Sequence, residues 1–185
     1  MRLFVALVLP ETIRWQLRLL SGGLPGARWV GPENFHISLR FIGEVDGAAF
    51  HDIDAALAGV RAPRFALSLA GIGHFGSGAK LRSLWAGVEK QPALFHLHGK
   101  VESAVVRAGV APVGQKYQPH VTLARSKGEP MPKLGDYLVQ HNLFRSVPFE
   151  VTHFTLFTSF LNREGAIYVP ERSYELTSRA LSQVS

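Results

Sequence analysis

The sequence predicts an α+β fold with mixed or mainly antiparallel sheets. Apolar segments with strand periodicity interleave with amphipathic helical segments, but without the strict strand-helix-strand rhythm of a parallel sheet. A chain of 185 residues, 46% hydrophobic and 18% charged, is long enough to bury a sizeable core and too apolar for disorder. One soluble globular unit over 1–185 is therefore expected. A short phrase also occurs twice, Phe35-His36-Ile37-Ser38-Leu39 and Pro119-His120-Val121-Thr122-Leu123, each inside a run with strand character.

The opening Arg2-Leu3-Phe4-Val5-Ala6 reads as a buried first strand. Pro10-Glu11 follows at once and no small-residue cleavage site appears, so a secretory signal is not the reading. Pro10-Glu11-Thr12 opens a helix with Ile13, Leu17 and Leu20 on one face, stopped by Ser21-Gly22-Gly23. Residues 24–31, with Arg28 and Trp29, read as a loop before the first motif strand, Phe35 to Ile42, which Gly43 closes. Asp46 caps a second helix with a stripe of Phe50, Ile53, Leu57 and Val60, and its His51, Asp52 and Asp54 are explained by capping and dipole preference.

Phe65, Leu67 and Leu69 alternate in a strand from Arg64 to Gly71, followed by a glycine-rich stretch to Lys80. Gly71-Ile72-Gly73-His74-Phe75-Gly76 matches the dinucleotide fingerprint in letters, but no helix follows to receive a pyrophosphate. A mobile hairpin loop is expected there, with Lys80 and Arg82 at its base and another strand from Leu81 to Val88. Pro92 starts a third helix, with Leu94, Leu97, Val101 and Val105 buried, ending at Gly109. The second motif strand spans His120 to Arg125, a short helix occupies 133–144, and Phe149 to Phe160 alternates as a strand. Asn162 to Gly165 turns into Ala166 to Val169, Tyr174 to Thr177 is a last strand, and a frayed tail begins near Ser178.

Absent cysteine removes disulfides, thiolate nucleophiles and Cys-ligated zinc together. No metalloprotease or zinc spacing of histidines occurs, and His96 and His98 diverge on a helix. No apolar run approaches a membrane span, so a cytoplasmic protein without membrane contact is expected. The net charge of +6 suits an anionic partner such as nucleic acid.

Residues two apart on a strand share a face, so His36 projects with Ser38, and His120 with Thr122. Two imidazoles can divide a reaction: one takes a proton from an attacking water while the other delivers one to the departing oxygen. Hydroxyls beside them can donate to the non-bridging oxygens of an anion held between.

These motifs, with the Arg2-Leu3-Phe4-Val5-Ala6 opening, Leu84-Trp85-Ala86-Gly87-Val88 and the flanks Arg40-Phe41-Ile42-Gly43 and Ala124-Arg125, resemble the 2H phosphoesterase superfamily. Within it, they resemble the bacterial and archaeal RNA 2′,3′-cyclic phosphodiesterases, also called 2′-5′ RNA ligases. The resemblance implies two pseudo-symmetric α+β lobes with mainly antiparallel sheets, outer helices and a central cleft. It further implies hydrolysis of RNA 2′,3′-cyclic phosphate ends to 2′-phosphomonoesters, tRNA fragments being candidate substrates, and a reverse 2′-5′ ligation. No cofactor, metal or obligate protein partner is implied.

By position, the family pattern makes His36 the proton donor and His120 the proton acceptor. It places base stacking on Phe41 and phosphate or sugar contact on Arg125, with Ser38 standing where Thr is usual. In an ideal strand an offset of five points away from the His face, which Arg40 and Ala124 would share instead. Arg40 is thus a rival substrate contact, and a bulge is required for Phe41 and Arg125 to reach the site. Rival functions are the same chemistry on a small cyclic nucleotide of the ADP-ribose cyclic phosphate type, and a non-catalytic RNA-end binding module.

Overall fold

The computed structural model describes residues 1–78 and 80–178, so the tail expected after Ser178 lies outside the described residues. The elements run β1 (Arg2–Val8), α1 (Glu11–Arg18), β2 (Arg28–Trp29), β3 (His36–Glu44), α2 (Gly47–Ala58), β4 (Phe65–Leu67), β5 (Leu69–Ser77) and β6 (Lys80–Val88). They continue with α3 (Pro92–Arg107), β7 (His120–Arg125), α4 (Leu134–His141), β8 (Phe149–Val151), β9 (His153–Asn162) and β10 (Gly165–Glu175). Two four-stranded sheets form, ordered β10-β9-β1-β3 and β2-β7-β6-β5, with β4 and β8 as a separate pair. The ladders between these strands are all antiparallel, as the α+β reading anticipates.

Helix starts follow local chemistry. The Asp46 carboxylate accepts from the Ala49 amide at 2.8 Å, capping α2, and Pro92 occupies the first turn of α3, where a missing N–H costs nothing. The fully buried faces Ile53/Leu57 and Leu94/Leu97/Val101 pack these two helices together, and α3 also lies on β3. Buried side chains of both sheets, from Leu3 to Leu176, belong to one contiguous core cluster. No helix among the described residues is long and apolar enough to cross a membrane.

Four expectations need correction, beginning with the loop expected over residues 24–31, which contains the two-residue strand β2 held by its ladder with β7. The segment Arg64 to Gly71 is two strands, because the chain leaves β8 after Leu67 and pairs with β6 from Leu69. Likewise Ala166 to Glu175 is one continuous strand along β9 with an irregularity between Pro170 and Arg172, so Tyr174 belongs to it.

The glycine-rich stretch is mostly strand β5 rather than a loop, and its glycines make room. A Cβ on Gly73 would stand 2.3 Å from the indole of Trp85, and one on Gly76, where φ is +143°, would stand 1.9 Å from the Lys80 carbonyl oxygen. Gly73→Ala should therefore push Trp85 aside, at about 1–3 kcal/mol for overpacking. A lowered melting temperature, with a tryptophan fluorescence shift, checks it.

Candidate active site

Strands β3 and β7 lie against each other where the two sheets meet, and each begins with its motif histidine. Before β3, a single 3-10 turn at Pro32–Asn34 swings the chain round, and the buried Phe35 anchors the strand entry. The His36 Nδ1 lies 2.7 Å from the carbonyl oxygen of Asn34, and the His120 Nδ1 lies 2.7 Å from that of Gln118. A carbonyl only accepts, so Nδ1 carries the hydrogen in both rings and Nε2 is left for proton exchange. Asn34 is itself tied down, its side-chain amide donating to the Ala166 carbonyl at 3.0 Å.

Aromatic rings hold each imidazole. His36 packs between Phe4 and the edge of Tyr168, both with centroids 5.2 Å away. His120 meets Phe75 at 5.2 Å and Trp85 at 5.9 Å. Burial lowers the His36 pKa below its ordinary value of 6.5, against the raising effect of the Asn34 carbonyl, and the charges of Arg125 and His120 lower it further.

The question of strand parity is decided by two matching bulges. Along β1, Arg40 pairs with Val5 and Ser38 with Ala6, so Leu39 is an extra residue. Along β6, Ala124 pairs with Leu84 and Thr122 with Trp85, so Leu123 is extra. In each strand the two residues after the hydroxyl, Leu39/Arg40 and Leu123/Ala124, are both buried, which simple alternation forbids. The bulge shifts the face by one, and Phe41 and Arg125 join His36 and Ser38 on the wall of a cleft of about 380 Å³.

Arg40, the rival contact, does not line this wall. Only 6% exposed, it forms an ion pair with Glu102 of α3 and donates to the carbonyl oxygens of Phe41, at 2.7 Å, and of Ala111. A second tie joins the motifs: the Tyr117 hydroxyl, three residues before His120, donates to the Ser38 carbonyl at 2.9 Å. Its ring stacks on His98 at 3.8 Å, and burial pushes the phenol pKa up.

Sequence reasoning missed Arg2, Ser159 and Tyr168, which line the same cleft, and Phe75 and Trp85 beside His120. Arg2 sits 5.3 Å over the Phe41 ring and could have been found from sharing a strand face with Phe4. The others come from strands whose pairing local sequence does not reveal. Among the described residues no group of three or more His, Asp or Glu is placed to hold a metal.

Two antiparallel sheets, each delivering a histidine and a hydroxyl from one bulged strand to a shared boundary, define a phosphoesterase of the two-histidine class. The family model for LigT-like phosphoesterases matches over residues 7–85 and 87–168, one motif in each segment, and the chain belongs to that family. It is 36% identical over 164 residues to the RNA 2′,3′-cyclic phosphodiesterase of Aeropyrum pernix, covering 88% of this chain and 92% of that one. To the enzyme of the same name from Escherichia coli it is 29% identical over 182 residues, covering 95% and 97%. The crystal structure of E. coli LigT complexed with 3′-AMP superposes with a TM-score of 0.77 at 29% identity, covering 95% of this chain and 98% of that one.

Proposed function

We propose that the chain, acting as one bilobal unit, hydrolyses RNA 2′,3′-cyclic phosphate ends to 2′-phosphomonoesters. The observation that carries this reading is the matched pair of imidazoles, each with Nδ1 bonded to a carbonyl and Nε2 open, on adjoining strands beside a cleft that holds Arg125. Relatives named for this activity, aligned over most of the chain, support it.

In this reading His120 takes a proton from water as its oxygen bonds to phosphorus, and His36 gives a proton to O3′ as the P–O3′ bond breaks. The attacking and leaving oxygens each meet one ring, so both proton transfers are served by the chain's own side chains. Ser38 and Thr122 donate to the non-bridging oxygens, Arg125 neutralises developing charge, and Phe41 offers a face for the terminal base. A 5′-hydroxyl in place of water gives the 2′-5′ ligation by the same two transfers.

The test is an end-labelled oligonucleotide carrying a 2′,3′-cyclic phosphate. A 2′-phosphate product, formed also in the presence of chelator, is expected, whereas a 3′-phosphate product or none contradicts the proposal.

A pH prediction follows from His36. As donor it must be protonated, so kcat/KM should fall as pH rises through its lowered pKa, placing the basic limb below 6.5. Arg125→Met removes one of the charges that lower this pKa and should move the basic limb upward. Movement of the acidic limb instead would reverse the donor and acceptor assignments.

A further inference from the structure

Beyond Arg125 the cleft continues. A second hollow of about 590 Å³ opens there, walled by Arg28, Trp29, Asn34 and the β9–β10 turn at Asn162 and Gly165. It shares Arg125, Leu161, Ala166 and Tyr168 with the cleft that holds His36. Both volumes fall in the range, about 300–1,000 Å³, that encloses small ligands.

Strand β2 pairs with β7 so that Arg28 stands directly opposite Arg125. Cross-strand partners are about 5 Å apart, and like charges so placed destabilise the pair. Both arginines are exposed, and among the described residues no carboxylate is within ion-pair distance of either. Glu33 and Glu164 also line the hollow, but neither pairs with them. Two unpaired guanidinium groups facing one hollow are a cost in the free protein that a bound anion removes. Their planar, forked donors suit the oxygens of a phosphate.

We propose that Arg28, with Arg125, forms a second phosphate subsite for the group on O5′ of the nucleotide whose cyclic phosphate lies at His36 and His120. That group is the internucleotide diester in an RNA strand, or a monoester on a lone nucleotide. The inference rests on the proposed hydrolase reading and adds to it a reason for the site to favour chains. Arg125 stands on the wall common to both hollows, and its charge is felt at His36, so the two phosphates would flank it.

The test compares kcat/KM at low salt for adenosine 2′,3′-cyclic phosphate, the same compound with a 5′-phosphate, and a dinucleotide ending in a cyclic phosphate. Wild type should favour the 5′-phosphorylated substrates by about tenfold, the size of one charge-assisted contact. In Arg28→Gln that ratio should fall to near one, and Arg28→Lys should restore part of it. A gain confined to the dinucleotide identifies the diester as the ligand, and a gain shared by both identifies either form. A wild-type ratio near one, or a ratio intact in Arg28→Gln while all three rates fall together, overturns the subsite. No turnover of any of the three by wild type would instead overturn the hydrolase reading beneath it.

Discussion

His36→Ala and His120→Ala should each lower turnover of a 2′,3′-cyclic phosphate by about 10²–10⁴-fold, the range for losing a positioned acid or base. Both rings are only partly buried, so both variants should keep the wild-type circular dichroism spectrum. The double variant should fall little further, because two groups serving one transition state are not additive. Near wild-type turnover by either single variant would remove that residue from its proposed role. Ser38→Ala, which leaves both imidazoles in place, should cost far less.

The second large effect is on stability. Arg40→Leu leaves Glu102, whose side chain is 22% exposed, without its cation, and strips two carbonyl oxygens of a donor. Breaking a buried pair from one side costs about 3–5 kcal/mol, and for a chain of this size each kcal/mol lowers the melting temperature by about 2–4 °C. A fall of roughly 10 °C is expected in a thermal melt. The double variant Arg40→Leu/Glu102→Leu should recover part of it, since no charge is then left unpaired. At the next position, exposed Phe41→Ala should barely change the melt while weakening substrate binding. An Arg40→Leu protein as stable as wild type would mean that the pair contributes nothing.

The histidines, their hydroxyls, both motif strands, the Asp46 cap of α2 and the Pro92 start of α3 are legible because each is written in neighbouring residues. Asp46 announces its helix, and alternation places Ser38 and Thr122 beside their histidines. The bulges were not legible, only their necessity. Leu39 followed by Arg40 looks like ordinary alternation, and only the pairing with β1 shows that both are buried. Leu123-Ala124, two apolar neighbours, carried a faint hint. Strand β2 lies where the sequence predicts a loop, because two residues carry no periodicity, and it exists through its ladder with β7 far along the chain. The glycines of β5 could not be interpreted without knowing that Trp85 lies over Gly73.

The ties across the sheet boundary bear on how substrate enters. Rotating the sheets apart would break the Tyr117 bond to Ser38 and separate Arg40 from Ala111 at the same time. These ties hold the two sheets in one relative position, which favours a fixed mould over a jaw. In the proposed function the RNA end would dock into a seat that already exists, its binding energy not spent on closing the protein around it.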